Sequence, residues 1–178
     1  MSYKENFQIT DAETGKIFWI SRSMAVCGII FCTRPEDGKK FFLVERRGPG
    51  CPDFVGALAC PCGYLGFGET RKEAVIREIR EEIGLDFSAI KEDIVERETE
   101  DRPEDNTRQN VTTRFSIPAD YNQIKEYLDS GPDLSSKDRG GEENEVSELV
   151  LVGEDELDNY SPWAWNHKEL LRKYSKLL

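Results

Sequence analysis

The run from Thr70 to Gly84 is the most constraining stretch of this chain, because its residues fit one conformation and that conformation gathers acid. At about 100° per residue, Glu78, Glu81 and Glu82 fall on one arc of a helix, while Val75, Ile76, Ile79 and Ile83 fill the adjoining arc. Thr70 followed by Glu73 has the form of a capping box, and Gly84 supplies a residue able to close the helix in the left-handed conformation. The spacing therefore predicts a helix over 71–83, with Leu85 packing back beyond its end.

Like charges three and four residues apart on a helix repel by a few tenths of a kcal/mol per pair, so the acid arc calls for a cation. Magnesium prefers oxygen ligands and is held by one or two carboxylates together with substrate phosphates and water. Glu78 and Glu82, one turn apart, suit that role.

Upstream of the helix lies Gly63-Tyr64-Leu65-Gly66-Phe67-Gly68-Glu69, and downstream runs Arg77-Glu78-Ile79-Arg80-Glu81-Glu82-Ile83-Gly84-Leu85. Taken together, Gly63 to Leu85 resembles the Nudix hydrolase box at every specified position. The resemblance implies an α/β fold, an α/β/α sandwich with a mixed sheet between helices. It implies that Glu78 and Glu82 are the principal metal ligands, with Glu81 as a further ligand or base and the Gly63 carbonyl facing a metal. Glu69 and Arg77 correspond to a structural ion pair tying the loop to the helix. One departure precedes the box: Pro61-Cys62-Gly63 stands where members commonly have Pro-Gly-Gly. An extended backbone at Cys62 would make that change harmless, whereas a positive φ would strain it.

The resemblance further implies metal-dependent hydrolysis of a diphosphate bond in a nucleoside diphosphate linked to another moiety, with water attacking phosphorus. Mg2+ is the expected cofactor and Mn2+ the alternative. The general base comes either from Glu81 or from a later group, Glu142, Glu143 and Glu145, on a segment rich in glycine and charge. Arg46, Arg47, Arg114 and Phe67 are candidates for holding substrate, the arginines by phosphate contact and the phenylalanine by stacking. A catalytically silent nucleotide-binding regulatory module is the rival function. The intact set of acids weighs against it.

Composition bounds the rest. The length of 178 residues fits a single domain over 1–178, and three Trp, six Tyr and nine Phe argue against wholesale disorder. A net charge of −11 disfavours long nucleic acids and anionic membranes as partners, leaving a small nucleotide-type molecule bridged by metal, and a homodimer is allowed. No apolar run approaches the roughly 20 residues of a membrane span. The five cysteines are an odd number whose spacing is not that of zinc knuckles, so free thiols and a cytoplasmic setting are expected.

Elsewhere the pattern predicts strands at Lys16 to Ser21, Met24 to Thr33 and Lys40 to Arg46, the last two as a hairpin around Arg34–Gly38. The apolar run within Met24 to Cys32 suggests a central strand covered on both faces. A short strand at Ala57–Cys60, a pairing of Ile94–Thr99 with Arg108–Pro118, a helix at Tyr121–Leu128, a strand at Glu148–Val152 and a final helix at His167–Leu178 complete the expectation.

Overall fold

The structure, a computed structural model, describes residues 7–20, 22–101, 110–135, 140–141 and 143–178. In chain order the strands are β1 (Phe7–Thr10), β2 (Ile17–Ile20), β3 (Met24–Thr33), β4 (Lys40–Arg47), β5 (Leu58–Ala59), β6 (Cys62–Tyr64), β7 (Val95–Glu100), β8 (Val111–Pro118) and β9 (Val146–Gly153). The α-helices are α1 (Arg71–Ile83), α2 (Tyr121–Asp129) and α3 (His167–Tyr174).

β3 is the centre of the sheet, as its unbroken apolar run requires. It pairs antiparallel with β4 through Ile30 and Leu43, and parallel with β8 along its whole length, from Met24 opposite Val111 to Phe31 opposite Pro118. β9 covers the outer edge of β4, and β7 closes the far side of β8, so among the described residues the sheet has seven strands and is mixed. Its two faces are both covered. Val26, Ile30, Leu43, Phe115 and Ile117 pack beneath α1 and Ile124 of α2, whereas Cys27, Ile29, Phe42 and Val44 pack against Leu170, Leu171 and Tyr174 of α3. This is the α/β/α sandwich.

Gly28 lies on the α1 side of β3, directly under Ile79; a Cβ added there would come 2.8 Å from the Ile79 Cδ1 atom. The missing side chain lets α1 sit close on the sheet. Complete burial of Ile79 stabilises this contact by about 1.5–3 kcal/mol.

Three features depart from the sequence expectation. β1 is a strand the sequence pattern does not reveal; it pairs with β2, Phe7 opposite Ile20, in a hairpin separate from the main sheet. β6 is a strand despite Pro61 and Gly63, because its short backbone pairs with Ala25, Val26 and Cys27. The last helix ends at Tyr174, and Leu177, which has helical spacing, is 62% exposed and packs on nothing that would extend it. All five cysteines are unpaired thiols, and no helix among the described residues is long and apolar enough to cross a membrane.

Candidate metal centre

The ends of α1 are fixed by local chemistry. Glu73 donates its backbone N–H to Thr70 Oγ1 at 3.3 Å, and the Thr70 N–H is returned to Glu73 Oε2 at 2.9 Å. At the other end Gly84 adopts φ 78° and donates to the Arg80 carbonyl at 3.1 Å. The bounds are those that the spacing predicts.

What brings the acids together is a divergence in the sheet. β3 and β4 are paired from Ile30–Leu43 to Thr33–Lys40 and then separate; beyond that point β5 pairs with β4 and β6 with β3. The segment Ala59–Gly63 thus crosses the split, and the Gly28 N–H donates to the Pro61 carbonyl at 2.9 Å on the way. Cys62 is extended here, opposite Cys27, so replacing glycine by cysteine carries no backbone strain. Its N–H donates to Glu82 Oε2 at 3.0 Å. Glu82 is consequently only 5% exposed, not on an open helical face as helix periodicity alone suggests. Gly63 lies against Glu78 so closely that any side chain at 63 would fall on the Glu78 carboxylate.

Arg77 ties the remaining acids down. Its guanidinium reaches Glu69 through Nε at 3.0 Å and Nη2 at 2.7 Å, donates to the Tyr64 carbonyl at 2.9 Å, and sends Nη1 to Glu78 and Glu81, each at 2.9 Å. The Glu69–Arg77 pair is therefore the link between box loop and helix. It also bridges two of the acids.

Sequence reasoning did not single out one acid beside these. Glu45 on β4 is 1% exposed, in hydrogen-bonding contact with the Glu82 carboxyl, and its Oε2 has no hydrogen-bond partner among the described residues. The available signal was a charged residue interrupting an otherwise apolar strand, Phe41-Phe42-Leu43-Val44-Glu45. Burial pushes the Glu45 carboxyl up to about 8, against the opposing charge of Arg47 and with Glu145 and Glu78 adding to the rise. Burial likewise raises Glu78 to about 7 despite Arg77, and lifts Glu82 well above the usual carboxylate range, with Glu45, Glu78 and Glu145 reinforcing the effect.

Of the later glutamates, Glu142 lies outside the described residues. Glu143 is exposed. Glu145 is placed so that its charge acts on Glu45, Glu78 and Glu82 together. Its backbone is held rather than loose: Gly48 donates to the Glu145 carbonyl at 2.5 Å, Gly50 to the Asn144 carbonyl at 2.9 Å, and the Cys51 thiol to the Glu145 carbonyl at 3.1 Å. Gly140, in the same connection, comes near Glu81.

The arginines have protein partners. Arg46 donates to Glu148 at 2.6 Å and to the Gly56 carbonyl at 3.0 Å. Arg47 binds Asp53 through its carbonyl at 3.1 Å and Oδ1 at 3.0 Å, and lies over the Trp165 ring. Arg114 pairs with Glu98 at 2.8 Å, a carboxylate shared with Lys173 of α3, which puts it on the sheet face away from the box acids. The charge of Arg47 acts on Glu45 in the acid cluster. Phe67 projects fully into solvent from the box loop.

Among the described residues no group of three or more acidic, histidine or cysteine side chains is placed to hold a metal ion by itself. Magnesium rarely needs one, because phosphate and water complete its octahedron. The donor set here is all oxygen, its buried carboxyls repel one another, and Glu45 Oε2 is left without a partner. Such a donor set is of the kind a hard divalent cation takes.

Comparison with known proteins agrees with the geometry. The NUDIX domain family model matches residues 22–174. The chain belongs to the Nudix family. An ADP-ribose pyrophosphatase of Methanocaldococcus jannaschii is 40% identical over 67 residues, which is 38% of this chain; the match spans 35% of that relative's length. Among solved structures, the NUDIX domain of Shewanella oneidensis NrtR complexed with ADP ribose is similar with a TM-score of 0.65 at 16% identity, covering 89% of each chain. A Caenorhabditis elegans Ap4A hydrolase is similar with a TM-score of 0.57 at 20% identity, over 87% of this chain and 96% of that one.

Proposed function

We propose that the protein is a Nudix pyrophosphohydrolase that uses Mg2+, or Mn2+ in its place, to cleave the diphosphate of a nucleoside diphosphate joined to another moiety. The observation that carries this is the pair Glu78 and Glu82, set one turn apart beside Gly63 and held by Arg77 and the Cys62 amide. When bound, the metal neutralises the diphosphate and acidifies an attacking water.

The chain's own residues do the rest. Glu78 and Glu82 hold the cation. Arg77 and Glu69 keep the box loop against α1, and Glu81 is the first candidate to take the proton of the attacking water, with Glu145 the second. Water adds to one phosphorus, the bridging P–O bond breaks, and the second phosphate leaves as an anion. Positioning and charge stabilisation suffice for this reaction, with no covalent step on the protein.

ADP-ribose is the first substrate to test, since the relative from M. jannaschii is named an ADP-ribose pyrophosphatase and the NrtR domain was solved with that ligand. Incubation with Mg2+ and ADP-ribose, nucleotide sugars, dinucleoside polyphosphates or nucleoside triphosphates, followed by chromatography for mononucleotide, tests the function. We expect AMP and ribose 5-phosphate from ADP-ribose. Tight nucleotide binding without release of product from any of them would favour a regulatory module.

A further inference from the structure

Glu45 is expensive where it stands. It occupies the face of β4 that Leu43 begins beneath α1, and an apolar side chain in its place would extend the same core. A buried carboxyl is normally hydrogen-bonded through both oxygens or paired with a cation. Here one oxygen has no hydrogen-bond partner among the described residues, and the neighbour is another carboxyl, Glu82, itself buried. Arg47, whose positive charge acts on Glu45, has Asp53 as its hydrogen-bonded partner.

Opposite Glu45 on β5 is Ala59, a small residue, and the split between β3 and β4 removes the strand that would otherwise lie beside it. Glu82 touches it, and the charges of Glu78 and Glu145 act on it from α1 and the entry to β9. A strand supplies Glu45. Side chains on a rigid sheet are held more closely than side chains on loops.

We propose that Glu45 is a ligand of the divalent cation, the sheet-side carboxylate that completes the grip of Glu82 and Glu78 on the metal. This deepens the pyrophosphohydrolase reading and rests on its metal centre. Glu45 Oε2 then has in the ion the partner it lacks in the protein, and the contact between two buried acids becomes a chelating pair.

The test is direct Mn2+ binding to the full-length protein, measured by loss of the free-ion electron paramagnetic resonance signal, for wild type, Glu45→Gln and Glu82→Gln. Glutamine keeps the shape and can still donate to Glu82, so it separates ligation from mere support of Glu82. We expect Glu45→Gln to raise the Mn2+ Kd by about tenfold or more. The metal-free Tm should be unchanged or higher, and the Tm increase produced by Mn2+ should shrink. Glu45→Met, which removes both oxygens but keeps the length, should show the same loss of affinity and guards against a folding defect peculiar to glutamine. Wild-type affinity in either Glu45 variant, beside a clear loss in Glu82→Gln, overturns the role of Glu45 and leaves the centre standing. Unchanged affinity in all three variants overturns the metal centre itself, and Glu45 with it.

Discussion

The Glu82 carboxylate accepts the Cys62 backbone hydrogen at 3.0 Å, joining the box helix to the strand that enters the box loop. This bond positions one carboxylate oxygen and turns a helix residue into part of the sheet's split. It also explains why Glu82 is buried.

Glu82→Gln and Glu78→Gln are expected to lower Mg2+-dependent turnover and Mn2+ affinity by roughly 100-fold, as loss of a metal ligand or its support does. Circular dichroism should be unchanged, since each substitution relieves repulsion within a buried acid group. Near-normal turnover in Glu82→Gln, measured at saturating Mg2+, would remove Glu82 from the centre.

Stability should depend on pH in an unusual direction. Burial raises Glu45 to about 8 and Glu78 to about 7 in the folded protein, and lifts Glu82 in the same sense, against ordinary carboxylate values in the unfolded chain. The folded state therefore binds more protons than the unfolded state between the ordinary range and those values, so stability falls as pH rises through them. In metal-free protein, Tm is expected to decline between pH 5 and pH 9, and added Mg2+ should restore it most at the alkaline end. A metal-free Tm that rises steadily across that interval would contradict the arrangement of these carboxyls.

The proton acceptor is separable from the metal ligands, because a pure base changes turnover without changing metal affinity. Glu81→Gln is expected to lower kcat roughly 100-fold. Glu145→Gln should have the larger effect of the two described loop glutamates and Glu143→Gln a small one, because Glu145 acts on Glu45, Glu78 and Glu82 while Glu143 is exposed. If Glu145→Gln abolishes turnover at unchanged Mn2+ affinity and Glu81→Gln is mild, the base belongs to the loop.

The helix itself can be weighed in two substitutions. Thr70→Ala removes the cap and is expected to cost about 1 kcal/mol in urea unfolding. Ile79→Ala empties the space over Gly28 and should cost about 3 kcal/mol. Equal costs for the two would mean that α1 is not anchored to the sheet through Ile79.

Much of the fold was legible because its signals are local. Thr70, Glu73 and Gly84 announce the ends of α1 through backbone chemistry confined to a few residues, and the apolar run of β3 announces burial on both faces. The site was legible in part: Glu78, Glu81 and Glu82 share a helix, so periodicity groups them. Glu45 was not, since its meaning depends on β4 lying under α1 and on the split that admits Cys62. The fixing of Glu145 was also hidden, because the carbonyls that Gly48, Gly50 and Cys51 hold lie nearly a hundred residues away. Pairings of that range leave no periodic trace.

Gly28 acts as a ruler for the site. The separation between the Glu82 carboxylate and the Cys62 amide is inherited from how closely α1 settles on β3, and that distance is set where Ile79 meets a position without a side chain. A methyl group there would crowd the Ile79 Cδ1 atom and force that side chain aside, loosening the contact through which the acid-bearing helix rests on the sheet. The seating of the acid-bearing helix thus depends on an atom that the protein does not have.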